Sequence, residues 1–315
     1  MPSKKILVIV GPTASGKTRM AVELAKAHNG EVVSADSMQI YRRMDIGTAK
    51  PTADEMDGVP HHMIDVADPE EDFSVARYVE MASACVDDIL SRGKLPIVAG
   101  GTGLYVDSLL SGRTFAAFSP GSSLRKELEA ELAERGGEAM LAELSRVDPE
   151  AAARLHPNDH KRIVRALEVY RSTGKTISEH NRETRALPPR YEALTIGLNF
   201  QDRADLWARI DQRVDQMAAA GLEREVRELL SSGLSPRCTA MQAIGYKEFV
   251  AAVEGTMTWR EAEELVKLRS RQYTKRQLTW FRRNPEVHWL LWEKNPNFGN
   301  ARQRSTELLE EFGLG

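Results

Sequence analysis

The chain has 315 residues, 42% hydrophobic and 28% charged, with a formal net charge of −3. That length allows one substantial core plus a second, smaller unit, and the charge excludes a protein that is a polycation throughout. No apolar run approaches the roughly 20 residues of a membrane span, and Cys85 and Cys238, the only cysteines, have no CxxC spacing, so neither a disulfide framework nor a Cys-rich zinc site is supported. The first apolar run is too short for a signal peptide and leads directly into a functional loop, so the cytoplasm is the expected compartment.

That run, Ile6 to Val10, reads as a strand. Behind it stand Gly11-Pro12-Thr13-Ala14-Ser15-Gly16-Lys17-Thr18 and then an amphipathic helical pattern. Strand, GxxxxGKT and helix together are the context a P-loop requires. Inward-turned backbone N–H groups and the helix N-terminus favour a di- or triphosphate, Lys17 reaches terminal phosphate oxygens, and the Thr18 hydroxyl is placed to ligate Mg²⁺. A second β-prone run, Glu31 to Ala35, ends at Asp36. Ligands of open parallel α/β sheets bind beyond the C-terminal ends of strands, which puts Asp36 on the same edge as the P-loop. Capping the next turn is the plainer job for Asp36, and the two roles are compatible.

Residues 44–72, rich in Pro, Gly, Asp and Thr, read as a long irregular connection, a kind of segment uncommon without function. His61 and His62 lie in it without a third ligand at suitable spacing and are assigned no metal. Residues 74–92 read as a helix with Ser74 as N-cap and Gly93 as stop. Leu95 to Ala99 and Gly100-Gly101-Thr102-Gly103 repeat the strand–glycine turn–helix order, bringing Thr102 to the same edge. This strand does not end in the Asp that usually holds Mg²⁺ in a P-loop ATPase, which weakens a motor or switch reading.

From about Arg113 four helical patterns follow without a strand: 122–135, 138–146, 149–155 and 160–173. They suggest an inserted helical subdomain whose polar tail, 181–190, returns as a linker through Pro188-Pro189. Residues 193–198 read as a strand rejoining the sheet. A helix over 203–219 follows, capped by Asp202, with Arg209 and Arg213 on one face and Asp211 and Asp215 nearby as solvated partners. Further helices are read at 221–230, 249–254 and 260–281, and a last strand at 287–292. Between Lys267 and Arg283 there are seven basic residues and no acidic one, a local stripe suited to a polyanion. The expected architecture is α/β: a P-loop parallel sheet with helices on both faces, formed by 1–112 and 191–315, and an all-helical insertion, 113–190.

The segments GPTASGKT, SADSMQIYRRMDIGTAKP, PHHMID, GGTGLY, HPNDHKRIVRALEVYRSTGK, AIGYKE and TKRQLTWFR, in this order over nearly the whole chain, resemble the tRNA dimethylallyltransferases. The resemblance implies transfer of a five-carbon prenyl group from dimethylallyl diphosphate to N6 of the adenine 3′ to the anticodon, in tRNAs that read codons beginning with U. In that family the P-loop holds the donor's diphosphate rather than ATP. The family's catalytic carboxylate falls on Asp36 as general base, its active-site hydroxyl on Thr102, and a diphosphate-binding arginine on Arg213, which with Lys17 neutralises the leaving group. The tRNA contacts implied fall on Asp36, Ser37, Met38 and Gln39, on Thr102, on Lys161, Arg162, Ile163, Val164 and Arg165, on Gln242, Ala243, Ile244, Gly245, Tyr246 and Lys247, and on the segment from Tyr273 to Trp280, including Lys275, Arg276 and Gln277. The basic residues of that last segment suit RNA phosphates, whereas Trp280 and Phe281 are read as core. The helical insert is expected to clamp an anticodon stem-loop whose target base is splayed out. Eukaryotic members often add a Cys₂His₂ zinc module, so the bacterial type is the expected match, acting as a monomer. A nucleotide or small-molecule kinase, a free-adenylate prenyltransferase and a non-catalytic RNA-binding switch remain as rivals at this point.

Overall fold

Strand β1 (Lys5–Val10) alternates its side chains between two fully buried layers, Leu7 and Ile9 on one side and Ile6, Val8 and Val10 on the other. A strand buried on both faces belongs at the centre of a sheet covered by helices. A computed structural model describes residues 4–112 and 123–314. In it β1 pairs in parallel with β4 (Leu95–Gly100) on one side and β5 (Glu192–Phe200) on the other. With β2 (Gly30–Ser34), the two-residue β3 (His61–His62) and β6 (His288–Trp292), the sheet has the order β3-β2-β4-β1-β5-β6, and every pairing is parallel. The chain is α/β, as its sequence implies.

One face is covered by α1 (Lys17–Ala27), which follows the P-loop; the short α2 (Ala53–Met56) follows β2. The other face carries α3 (Val75–Ser91) and α4 (Gly103–Leu110), with the Tyr78 and Tyr105 rings stacked at 4.0 Å. Ser74 caps α3 by accepting from Arg77 N. The connection 44–72 is more structured than its composition suggests, because α2 is closed by a reciprocal Thr52–Glu55 capping box and His62 joins the sheet edge. His61 Nδ1 lies 2.9 Å from Val59 O, and His62 Nε2 lies 2.8 Å from the buried Glu31 carboxylate.

Contacts divide the chain into two compact units, Met1–Leu110 with Tyr191–Gly315, and Ser111–Arg190. The second unit is all-helical: α5 (Ser123–Val147), α6 (Pro149–Ala152), α7 (His160–Thr173) and α8 (Ile177–Arg185). Helix α5 joins two helical patterns across a break at Gly136, whose φ is 77°. Leu128, Met140, Leu144, Ile163, Val164 and Leu167 form its core. The tail read as linker is helical as far as Arg185, because Thr176 and Glu179 make a capping box that starts a helix the polar composition concealed.

In the first unit β5 leads into α9 (Arg203–Ala220), capped by Asp202, then α10 (Leu222–Ser231), a 3₁₀ turn at Ala240–Gln242, α11 (Tyr246–Val253) and α12 (Trp259–Phe281). These helices share a second core with Ile40, Tyr41 and Met44 from the loop after β2. A closing helix, α13 (Phe298–Phe312), was not legible as an element. Its Ala301, Leu308 and Leu309 pack with α1 against the first face of the sheet. No helix among the described residues is long and apolar enough to cross a membrane.

Candidate active site

Three strand ends meet on one edge because β2, β4 and β1 are neighbours. The P-loop follows β1. A Cβ at Gly11 would lie 2.3 Å from Leu198 O, so only glycine lets the loop leave the strand so close to β5. Ala14 holds φ 61°, the left-handed value that turns successive amides inward. The loop rests on two side chains from far along the sequence: Trp292 Nε1 donates to Ser15 O at 2.8 Å, and Gln277 Oε1 accepts from Thr13 N at 3.0 Å. Gln277 Nε2 in turn donates to Gly101 O at 3.0 Å, so one buried amide joins the loops after β1 and β4.

At the start of α1, Lys17 Nζ donates to Pro12 O at 2.6 Å. Burial, with the Arg213 guanidinium adding to it and Asp36 opposing it, pushes the Lys17 ammonium down to about 7. Burial likewise lowers Arg213, and Asp36 and then Glu55 offset this. Two cations and one carboxylate therefore feel one another in a partly buried site, a field suited to a polyanion. Arg213 Nη2 donates to Ala49 O at 3.4 Å. Asp211 and Asp215 are not its partners: they pair across to α12, with Arg271 at 2.6 Å and Lys267 at 2.6 Å. Arg209 is exposed, its guanidinium 5.6 Å from the Phe200 ring centre.

Asp36 Oδ1 accepts from Met38 N at 2.8 Å and from Gln39 N at 3.3 Å, forming an Asx-type turn. Thr102 Oγ1 accepts from Ser37 N at 3.0 Å and lies 3.3 Å from Ser37 Oγ. Burial raises the Tyr273 phenol to about 12; Asp36 adds to the shift, while hydrogen bonding to Thr102 opposes it. Asp36, Thr102 and Tyr273 thus occupy one patch beside the loop that follows β1. The donor set available to a metal is hard oxygen, and no cluster of three His, Cys, Asp or Glu suited to a metal exists among the described residues.

The family model described as IPP transferase matches residues 39–284. The chain belongs to this family. Among its relatives, the tRNA dimethylallyltransferase of Acetivibrio thermocellus is 50% identical over 285 residues, covering 90% of this chain and 91% of the relative. That of Geobacter sulfurreducens is 50% identical over 311 residues, covering 98% and 97%. Of solved structures, the tRNA isopentenylpyrophosphate transferase of Bacillus halodurans superposes with a TM-score of 0.72 at 43% identity, covering 98% and 97%. A eukaryotic dimethylallyltransferase acting on tRNA superposes with a TM-score of 0.84 at 31% identity, covering 98% of this chain and 79% of the other.

In the structure the residues expected from sequence fall into two groups. Lys17, Thr18, Asp36, Ser37, Met38, Thr102, Arg213 and Tyr273 are partly accessible at or beside the strand ends, and Lys161, Arg162, Gln242, Lys247, Lys275 and Arg276 are exposed. Ile163, Val164, Ala243, Gly245, Tyr246 and Gln277 are buried, and Ile244 is partly so. Arg165 pairs with Glu168 at 2.8 Å. Gln39 is committed internally, its Nε2 donating to Thr48 O and Ala49 O. The basic stripe is shorter than its sequence suggests, since Lys267 and Arg271 are neutralised from α9. Phe281 is buried, and Trp280 is partly so, donating from Nε1 to Asp107. Two supports went unread, Glu225 and the bridging role of Gln277. Each had a signal: Glu225 lies on the i, i+3, i+4, i+7 face with Leu222, Val226 and Leu229, and Gln277 on that with Thr274, Leu278 and Phe281.

Proposed function

We infer that this chain transfers the dimethylallyl group of dimethylallyl diphosphate to N6 of the adenine 3′-adjacent to the anticodon in tRNAs reading U-starting codons. The observation that carries the reading is the gathering of Lys17 and Arg213, two partly buried cations, within electrostatic reach of the Asp36 carboxylate at one sheet edge, in a chain half identical to tRNA dimethylallyltransferases. The C1–O bond of the donor breaks as the N6–C1 bond forms. Positive character develops on the allylic carbon, so the barrier depends on neutralising the departing diphosphate. The P-loop amides, Lys17 and the Arg213 fork supply that neutralisation. Asp36 accepts the N6 proton, and Thr102 and Tyr273 position the incoming adenine.

Mg²⁺ is the metal that fits: it is commonly held by one or two protein oxygens plus substrate phosphates, which suits Thr18 better than a dedicated cage. When bound it adds charge neutralisation on the diphosphate. Exposed Lys161, Arg162, Lys247, Lys275 and Arg276 take RNA phosphates. The proposed chemistry calls for no group from a second copy, and we take the acting unit to be a monomer working in the cytoplasm, where tRNA resides.

A kinase of this architecture would call for a metal-holding carboxylate at the end of β4, where Ala99-Gly100 stands. Incubation with unmodified tRNA, dimethylallyl diphosphate and Mg²⁺, followed by mass spectrometry of the nucleosides, should show prenylated adenosine 3′ to the anticodon. Unmodified tRNA alongside label transfer from ATP to an acceptor would overturn the assignment.

A further inference from the structure

A buried acid outside the reacting groups holds the loop that organises them. Glu225, 8% exposed on α10, accepts from Asp45 N at 2.9 Å and Ile46 N at 2.8 Å through Oε2. Its Oε1 accepts from Gly47 N at 3.1 Å and from the Tyr246 hydroxyl at 2.5 Å. Three consecutive amides converging on one carboxylate form a nest filled from within the protein. The fit is sterically closed: a Cβ at residue 47 would lie 2.5 Å from the Tyr246 ring. Burial and the adjacent Glu225 charge drive the Tyr246 phenol far up, so it stays a donor to that charge.

The far end of the same loop reaches the site. Ala49 O, two residues past the nest, accepts from both Arg213 Nη2 at 3.4 Å and Gln39 Nε2 at 3.1 Å. Gln39 N closes the Asp36 turn. One short loop therefore touches the group assigned to the diphosphate and the turn that aims the assigned base. We propose that Glu225 is a positioning residue for the transfer reaction, fixing Arg213 and the Asp36 turn through the Asp45–Ala49 loop. The proposal rests on the functional reading above.

In Glu225→Gln the new NH₂ meets amide donors where an acceptor is needed, so the loop shifts without loss of side-chain volume. A displacement near 1 Å costs up to about 100-fold in rate, so kcat/KM for dimethylallyl diphosphate should fall roughly 10- to 100-fold. Affinity for tRNA should stay within about twofold, and Glu225→Asp, which keeps the charge, should recover part of kcat. Val226→Ala on the same buried face is the control: it destabilises α10 but should leave kcat within about twofold. Parallel losses in Glu225→Gln and Val226→Ala, or wild-type kinetics in Glu225→Gln, overturn the proposal. If Glu225→Gln does not fold, Glu225→Asp must show the same split between donor kinetics and tRNA affinity, and unchanged kinetics overturns it. Absence of transfer by the wild-type protein sinks the functional reading instead. The anchor is then judged by amide exchange at Asp45–Gly47 and by inorganic diphosphate affinity, and equal values in wild type and Glu225→Gln reject it.

Discussion

At the residue scale one substitution can separate the turn-holding role of Asp36 from the proton-accepting role proposed for it. Its Oδ1 holds the turn through Met38 and Gln39, a role an amide oxygen can keep, while proton acceptance needs the carboxylate. Asp36→Asn should therefore lower kcat by about 10²- to 10⁴-fold with tRNA affinity nearly intact. Single-turnover kinetics beside a filter-binding isotherm checks this, and a wild-type kcat would remove Asp36 from proton transfer. Lys17 makes a pH prediction. The folded protein releases this proton near pH 7, whereas the unfolded chain holds it to 10.5. The unfolded state therefore binds more protons between those values, and the residue's cost to stability, full below pH 7, is relieved as pH rises toward 10.5. A bound diphosphate favours the ammonium form, so above pH 7 binding takes up a proton. Affinity for a non-reactive donor analogue should fall from pH 7.5 to 9.5, by up to about tenfold per unit, and Lys17→Met should flatten the dependence. Calorimetry in buffers of different ionisation enthalpy reads the proton directly; equal profiles in the two proteins would rule Lys17 out as its source.

At the element scale α12 does more than present basic residues. Through Gln277 it is tied to Thr13 N and Gly101 O, and so to the loops after β1 and β4. Replacing Gln277 by Leu leaves a part-buried N–H and a buried C=O without that partner, a loss of about 2–4 kcal/mol. The expected result is a lower denaturation midpoint and a raised KM for the prenyl donor, with tRNA affinity little changed. A direct RNA contact at this position would give the opposite pattern, weaker tRNA binding at unchanged stability. Helices α9 and α12 also meet in register, Asp211 with Arg271 and Asp215 with Lys267, each pair four residues apart on its own helix.

For the whole molecule, that register makes the charge stripe functionally uneven. Lysines and arginines that release counterions on binding RNA set the salt slope, by about 0.7 to 0.9 per phosphate contact. Lys275→Ala and Arg276→Ala should each reduce the slope of log K against log salt by about 1, while Lys267→Ala and Arg271→Ala, already neutralised, should barely change it. Titrations of an anticodon stem-loop across a salt series distinguish the two pairs, and equal slopes for all four variants would refute the division. The sequence by itself determined the α/β class and the strand-end positions of the Gly11–Thr18 loop, Asp36 and Thr102, because local spelling and strand–loop–helix order encode them over a few residues each. It could not say which charges are paired, nor that Glu225 and Gln277 are supports, because the loops they hold lie 176 to 264 residues away in the chain. Ion pairing and amide capture depend on which helices pack side by side. Only tertiary structure decides that, since burial of apolar faces, not the charges themselves, brings those helices together.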